Sequence, residues 1–342
     1  MLIWFILFFV NMDKEKSLIV VRTILRLLVG IMFISAAILK LLSIDLFEIY
    51  IYSFNLFSFE LTTIISRLII AAEILLGLGL VFKIYYKQAW WLSVFMIVGF
   101  SLFLIYVIIY RTDDNCHCFG ELIQLNPSES IYKNIFSIII LFFIRKENNY
   151  EYGKKLRKWL VTSSIAISVI LSFVVIPMDT IYNKIVSKEK NINTLDFEHS
   201  LKPPQNINLL NFETINDSLV VKHDTLTLLD LSIDQYIIGF IAAGCKYCKL
   251  GTNKLSMIFE HNNIDKKHLK LFVWGYDSSI ANFVNETQTS EYEYWFIDPG
   301  VSIDITYGRF PTYVWVENGK IVDSGNLRDL EENKIVSFLK YK

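Results

Sequence analysis

The sequence has almost no net charge and very few cysteines. Its 33 lysines and arginines nearly balance 34 aspartates and glutamates, so the formal net charge is -1. Binding to nucleic acid depends on basic residues that neutralise phosphates, so this balance argues against a nucleic-acid partner. The four cysteines fall into two tight pairs, Cys116-His117-Cys118 and Cys245-Lys246-Tyr247-Cys248. Any sulfur chemistry is therefore confined to two places in a chain of 342 residues.

Long apolar runs, in contrast, fill the first half of the chain. Mean hydropathy is +0.41, and a membrane-spanning helix needs roughly 20 mostly apolar residues. Runs of this kind occur at residues 18–42, 61–82, 89–110, 131–145 and 159–177. The fourth run is short and needs residues 130–134 to complete its span. The sequence predicts an all-α membrane bundle, followed from about Asn191 by a region with the composition of a soluble domain.

The first ten residues are apolar but too short to cross a bilayer. They also lack the basic n-region and the small-residue cleavage site of a signal peptide. Met12 follows at once, before Asp13-Lys14-Glu15-Lys16. We expect Met12 to be the natural start, which N-terminal sequencing of the native product tests.

Basic residues predict the orientation of the spans, because cytoplasmic loops carry an excess of lysine and arginine. The loop between the fourth and fifth spans is rich in them: Arg145, Lys146, Lys154, Lys155, Arg157 and Lys158. Lys83 and Lys87 fall on the same side if there are five spans. We expect a multi-pass protein of the bacterial plasma membrane, with its N-terminus in the cytoplasm and its C-terminal region in the periplasm. Both cysteine pairs then face one oxidising compartment, where disulfides persist.

Ionisable residues lie inside the predicted spans, where they usually face the bundle interior or water. Glu73 is near the middle of the second span, and its candidate partners are Arg26, Arg67 and Lys40. One interpretation is an ion pair that fixes helix packing. The alternative is a role of Glu73 in quinone or proton chemistry.

The Cys116-His117-Cys118 sequence lies in a short polar loop between two apolar runs. Cysteines separated by one residue can bridge only through a small, strained ring, and strained disulfides are the reducible ones. His117 would lower a thiol pKa, whereas the nearby acidic residues oppose that shift. The alternatives are a permanently oxidised clip or a metal site with His117. We predict no metal site, because zinc takes four ligands and no second Cys/His cluster is near.

Cys245 and Cys248 follow a strand-like run at residues 235–241 and precede a helical pattern at residues 250–260. A cysteine at a helix N-terminus is exposed to unpaired N–H groups and to the positive end of the dipole, which both favour a thiolate. The second cysteine, one turn later, can attack a mixed disulfide formed by the first. The alternative is a structural disulfide or half of a zinc ribbon, but no second Cys-x-x-Cys motif occurs.

Further elements complete an α/β pattern in this region. Strands are predicted at residues 269–274 and 294–297, and a hairpin at residues 312–316 and 320–322. Asn318-Gly319 in its turn is a strong hairpin signal. A closing helix is predicted at residues 328–341.

The first half resembles DoxX-like membrane proteins in the pattern of Arg22, Gly30, Phe33-Ile34, Ala36 and Lys40-Leu41, and in Glu73 with Gly77. The Cys-His-Cys-Phe-Gly-Glu sequence, followed by Lys133-Asn134, is similar to the methylamine utilisation protein MauE branch. This resemblance covers residues 18–145. It implies a four-helix membrane domain associated with periplasmic redox processes, including disulfide formation.

The C-terminal region resembles thioredoxin-like proteins of the TlpA-like, membrane-attached type over residues 205–342. The residues that carry the resemblance are Cys245, Cys248, Phe310-Pro311-Thr312 and the stretch 319–322. It implies that Cys245 is the attacking thiolate and Cys248 the resolving thiol. It also implies that Pro311 is cis and, with Thr312, binds substrate backbone. Two departures are Gly244, where tryptophan is usual, and residues 211–231, which do not match the expected first strands.

These observations predict six segments along the chain. They are a cytoplasmic N-terminal segment at 1–17, a DoxX/MauE-like domain at 18–145, a basic cytoplasmic loop at 146–158, a fifth transmembrane helix at 159–177, a periplasmic linker at 178–204 and a thioredoxin-like domain at 205–342.

The predicted function is a membrane-anchored periplasmic thiol–disulfide oxidoreductase. Cys116/Cys118 and Cys245/Cys248 would exchange electrons with one another and with client protein thiols and disulfides. Such exchange requires no cofactor. One alternative is a non-enzymatic accessory or maturation factor for a periplasmic redox complex. Another is a quinone-linked subunit of the DoxX type.

Overall fold

The structure is a computed structural model that describes residues 14–111, 125–146, 152–185, 192, 207–215 and 218–340. The described residues form two compact units. The first lies within Met1–Ile51 and Thr62–Pro177, and the second within Tyr52–Leu61 and Met178–Lys342. The predicted start at Met12 lies outside the described residues.

The first unit consists of helices. They are α1 (Lys14–Leu42), α2 (Ile44–Tyr52), α3 (Phe59–Val81), α4 (Tyr86–Tyr110), α5 (Pro127–Ile144) and α6 (Lys154–Val169), which a π-helical turn continues over Ile170–Val175. The last residue of α2 and the first three of α3 belong to the second unit. Among the described residues, five helices are long and apolar enough to cross a bilayer, and they match the five predicted spans. The chain is therefore a multi-pass membrane protein.

The short fourth span reaches its length through an N-terminal cap. Asn126 accepts a hydrogen bond from the Glu129 backbone N–H, and the Glu129 carboxylate accepts one from the Asn126 N–H. This capping box, with Pro127 at the first position, starts α5 several residues before the apolar run. The helix thus has 18 residues.

Four of the spanning helices share one apolar core, as the predicted bundle requires. The core includes Val29 and Phe33 of α1, Leu80 of α3, Trp90 of α4 and Leu141 of α5. Large apolar side chains such as Phe95, Leu102 and Ile139 are exposed on the outer faces of α4 and α5. This arrangement suits a bundle surrounded by lipid.

Helices α1 and α3 approach each other closely at two glycines, Gly30 and Gly77. A Cβ on Gly77 would lie 2.8 Å from the Gly30 carbonyl oxygen and 2.6 Å from Ile34 Cγ1. A Cβ on Gly30 would lie 3.0 Å from the Gly77 carbonyl oxygen and 2.7 Å from Val81 Cγ2. Small residues at such crossings let helix backbones pack in a membrane, where little hydrophobic force acts between helices.

The second unit contains a mixed sheet with helices. Its strands are β1 (Ile207–Ile215), β2 (Ser218–Asp224), β3 (Gln235–Ala242), β4 (Leu269–Trp274), β5 (Glu293–Ile297), β6 (Thr312–Glu317) and β7 (Lys320–Gly325). The order of these described strands is β2-β1-β5-β4-β3-β6-β7. β3, β4 and β5 are parallel, and the other pairings are antiparallel.

The helices of this unit are α7 (Asp179–Ile185), α8 (Lys246–His261), α9 (Asp277–Thr287), α10 (Pro299–Thr306) and α11 (Glu332–Lys340), with short 3₁₀ turns at Lys266–His268 and Leu327–Asp329. Ile238 and Phe240 of β3, Phe272 of β4 and Val314 of β6 are fully buried in the apolar core of the sheet. The α/β fold class predicted from the sequence is confirmed.

Several elements differ from the sequence prediction. β1 and β2 form an antiparallel pair in the region that matched no expected strands. The closing helix begins at Glu332 rather than residue 328, because Asn326 and Asp329 cap a separate 3₁₀ turn. α7 lies in the segment predicted to be a linker.

The crossing of α1 and α3 generates a stability prediction. Gly77→Ala forces Cβ against the Gly30 carbonyl, and such overpacking costs about 1–3 kcal/mol. We expect a lower midpoint of thermal unfolding for the detergent-solubilised protein, followed by circular dichroism. Gly99→Ala is the matched control, since a Cβ at Gly99 in α4 meets nothing within 4 Å. Equal midpoints for the two variants would show that the two helices do not cross closely at Gly77.

Candidate active site

Cys245 lies where β3 passes into α8. After Ala242 the chain turns through Ala243 and Gly244, and the Cys245 N–H donates to the Ala242 carbonyl at 3.0 Å. Cys245 is the N-cap of α8, in an extended conformation. Its side chain is half-buried, and a Cβ on Gly244 would meet nothing within 4 Å. The thiol is thus accessible at the positive end of the helix dipole.

Cys248 lies one turn into α8 and is fully buried. Its sulfur accepts a hydrogen bond from the Ala242 N–H at 3.5 Å, and its own N–H donates to Cys245 Sγ at 3.3 Å. Both cysteines are free thiols. One thiol therefore faces outward while its neighbour faces the protein interior.

The two environments shift the thiol pKa values in opposite directions. A hydrogen bond from the Cys248 thiol lowers the pKa of Cys245 to about 6, helped by the N–H groups of Cys248 and Tyr247 and opposed by partial burial. The same thiol–thiol hydrogen bond, together with burial, raises the pKa of Cys248. Near neutral pH, Cys245 is mainly a thiolate and Cys248 a thiol. This pairing suits nucleophilic attack by Cys245 on a disulfide.

Pro311 and Thr312, predicted to bind substrate backbone, lie at the start of β6. The Phe310–Pro311 peptide bond is cis. In the β3–β6 register, Thr312 is opposite Phe240, two residues before β3 ends. Both residues are buried, and the Thr312 hydroxyl donates to the Arg309 carbonyl at 2.6 Å. They are thus brought to the edge of the sheet that carries Cys245, and their role in binding stays a prediction.

Tyr313 is a neighbour of the cysteine pair that the sequence prediction missed. Its ring fills the space where Gly239 lacks a side chain, and its hydroxyl would clash with a Cβ on Gly251. Burial raises the pKa of Tyr313 well above its usual value, and the nearby Cys248 and Cys245 add to this shift. Gly251 in the interior of α8 is the signal in the sequence, because glycine there is unfavourable unless another group needs the space.

The other predicted cysteine site, Cys116 and Cys118, lies outside the described residues, as does His117. Its redox activity remains a prediction. Within the described ranges, no group of three or more His, Cys, Asp or Glu side chains could hold a metal ion.

The predicted intramembrane polar residues separate into different pairs. Lys40 is the partner of Glu73, and both side chains are buried. Arg67 instead pairs with Glu48, a partner that was not predicted. Arg26 donates to the carbonyls of Leu80 and Val81, the latter at 2.6 Å, at the C-terminus of α3. Of the three candidate partners of Glu73, the structure therefore selects Lys40.

The thiol asymmetry predicts a pH dependence. In the reduced full-length protein, the alkylation rate of Cys245 should rise with pH to a midpoint near 6, while folded Cys248 stays unreactive. Cys248→Ala removes the main hydrogen bond, so the midpoint should move toward the ordinary value of about 8.5. Peptide-resolved mass spectrometry measures each cysteine separately. The Cys116→Ala/Cys118→Ala variant is the control and should keep the wild-type midpoint; a wild-type midpoint near 8.5 would contradict the assignment.

Comparisons with known proteins agree with this division of the chain. Residues 18–145 match the model of the family described as methylamine utilisation protein MauE. Protein TlpB of Flavobacterium psychrophilum is 26% identical over 324 residues, covering 84% of this chain and 85% of that protein.

Two solved structures are similar to part of the chain. The thioredoxin domain of a thiol-disulfide oxidoreductase from Bacteroides vulgatus has 18% identity and a TM-score of 0.29, covering 39% of this chain and 94% of that chain. A thiol:disulfide interchange protein from Bacteroides sp. has 19% identity and a TM-score of 0.28. The match covers 41% of this chain and 89% of that chain. Residues 18–145 are thus similar to the MauE family, and the Cys245-Lys246-Tyr247-Cys248 motif lies beyond them, where strand β3 of the mixed sheet ends.

Proposed function

We propose that the chain is a membrane-anchored thiol–disulfide oxidoreductase whose exchange centre is Cys245 with Cys248. The observation that carries this proposal is the asymmetric pair itself. Cys245 is an accessible thiolate at the N-terminus of α8, and Cys248 is a buried thiol within hydrogen-bond contact of it. The five spanning helices supply the anchor.

The reaction needs two exchange steps. The Cys245 thiolate attacks one sulfur of a client disulfide, which breaks the client S–S bond, forms a mixed disulfide and releases a client thiolate. Cys248 then loses its proton and attacks Cys245 Sγ. The Cys245–Cys248 disulfide forms, and the second client sulfur leaves as a thiolate that takes up a proton. Run in reverse, the same steps oxidise a client dithiol.

We further propose that Cys116 and Cys118 exchange electrons with Cys245 and Cys248 on the periplasmic side of the membrane. The support is in the sequence: the basic loop that includes Arg145 and Lys158 indicates that the fourth and fifth spans meet in the cytoplasm. With five spans, both cysteine pairs then belong to the opposite compartment. The order of the two reduction potentials sets the direction of electron flow.

Cysteine variants of the full-length protein test the exchange centre. With a disulfide-bonded model substrate, Cys245→Ser should lose activity to the uncatalysed rate, because serine cannot attack the disulfide. Cys248→Ser should accumulate a mixed disulfide at Cys245, visible on a non-reducing gel. Ser256→Ala, at a residue on α8 outside the pair, is the control and should keep activity. If Cys245→Ser keeps wild-type activity, or if Cys248→Ser traps no adduct, the accessory-protein alternative is favoured.

The predicted membrane orientation can be tested separately. Electron exchange between the two cysteine pairs, called the relay below, requires both pairs to lie on the same side of the membrane. In intact spheroplasts treated with a reductant, a membrane-impermeant maleimide should label Cys116 or Cys118, and also Cys245. A cysteine introduced at Lys87, which is predicted to be cytoplasmic, should be labelled only after permeabilisation. Labelling of either native pair only after permeabilisation would overturn the shared compartment and with it the relay.

A further inference from the structure

A small cavity lies inside the first unit, among α1, α3, α4 and α5. Its volume is about 40 Å³. Its apolar walls include Met32, Phe33, Met96 and Phe100. Its polar wall is formed by Lys40, Glu73, Lys133 and Asn134. We call this space the bundle cavity.

Within the described part of the chain, the two carboxylate oxygens of Glu73 differ in whether they have a partner. Its Oε1 pairs with Lys40, whereas its Oε2 is buried and has no hydrogen-bond partner among the described residues. A buried carboxylate oxygen without a partner is costly, and such groups are normally satisfied by ordered water. The cavity is polar on this side and has room for about three waters, at roughly 10–15 Å³ each.

The size of the cavity decides between water and a larger ligand. A cavity that holds one benzene ring has a volume of about 150 Å³. The bundle cavity, at about 40 Å³, is far smaller. A quinone ring therefore does not fit this arrangement of side chains, whereas a small water cluster does.

The charged groups around the cavity are held in place. The Lys40 ammonium lies over the rings of Phe47 and Phe100, with centroids at 5.5 and 5.2 Å. The Asn134 amide donates to Ser101 Oγ at 3.0 Å, and Ser101 donates to the Ile97 carbonyl at 2.8 Å. Three charged side chains line the cavity: Lys40 from α1, Lys133 from α5 and Glu73 from α3.

Asn134 and Lys133 extend the polar surface away from Glu73. Both residues line the cavity from α5. Asn134 is buried, whereas Lys133 is half-buried and reaches the surface of the bundle. The polar lining of the cavity therefore extends from the Glu73 carboxylate to a partly exposed side chain of α5.

We propose that the bundle cavity is a water-filled proton-binding site, in which the Glu73 carboxylate takes up and releases a proton through cavity water, along the route formed by Asn134 and Lys133. When Glu73 is protonated, the proton resides on the carboxylate; on release it passes to cavity water and then to bulk water. This inference goes beyond the proposed thiol exchange, since its groups belong to the first unit, whereas Cys245 and Cys248 belong to the second.

Infrared difference spectroscopy of the full-length protein in lipid nanodiscs tests the site. Between alkaline and mildly acidic buffer, in which exposed carboxylates stay ionised, we expect the carbonyl band of a protonated carboxylic acid to appear, and to shift in D₂O as soon as the buffer is exchanged. Glu73→Gln should abolish this band. Glu48→Gln is the matched control: Glu48 is also buried and paired with a cation, but it does not line the cavity, so the band should remain. Cys245→Ser should also keep the band, which separates this proposal from the exchange chemistry.

Two further variants keep the proposal testable if Glu73→Gln does not fold. Glu73→Asp retains the acid on a shorter side chain, so the band should persist at a changed frequency. Asn134→Leu should keep the band but slow its shift in D₂O at least about 10-fold, the change expected from adding roughly 1.4 kcal/mol to a barrier. The proposal is overturned if the wild type lacks the band, if Glu73→Gln retains it, or if Glu73→Asp leaves its frequency unchanged. It is also overturned if Asn134→Leu exchanges as fast as the wild type.

Discussion

The burial of β3 between β4 and β6 is the constraint on which the candidate active site depends. Ile237, Ile238, Phe240 and Ile241 are fully excluded from solvent, and β3 is hydrogen-bonded to both neighbours along its length. A strand paired on both sides is held by two sets of backbone hydrogen bonds, and a shift by one residue would leave buried N–H and C=O groups of both pairings without partners. The end of β3 is thereby fixed, and with it the start of α8. The cysteine pair takes its geometry from the sheet rather than from its own loop.

From that fixed junction, a spacing of three residues gives two identical thiols opposite properties. The first is at the helix cap, where N–H groups and the thiol of its neighbour stabilise the charged form. The second points back toward β3, where burial disfavours charge. Both pKa shifts have the same main cause, because the hydrogen bond between the two thiols lowers the pKa of Cys245 and raises that of Cys248. The asymmetry follows from direction along a helix and not from any nearby charged side chain.

In the membrane bundle, the corresponding constraint is that each buried charge needs a partner. Lys40 with Glu73, Arg67 with Glu48, and Arg26 with the last carbonyls of α3 meet this requirement. From the sequence, an ion pair was one interpretation of Glu73, because an isolated charge in a span is too costly. The sequence left three cations open, since the choice depends on how the helices are rotated and offset. Glu48 was not recognised as the partner of Arg67 because it lies in α2, outside the apolar runs.

Strands could be predicted where their own sequence carries a clear pattern, and could not where they depend on contacts with residues distant in the chain. The five spans, β3, β4 and the β6–β7 hairpin carry continuous local patterns: long apolar runs, a buried strand, an Asn-Gly turn. β2 is mostly exposed and polar, and β1 is buried only where it pairs with β5, so neither has such a pattern. Helix α9 was not predicted from the sequence, although Ile280, Phe283, Val284 and Thr287 recur at helical spacing. Tyr313 required both kinds of information: the glycine inside α8 shows that a group needs space, but only the pairing of β6 with β3 identifies which group occupies it.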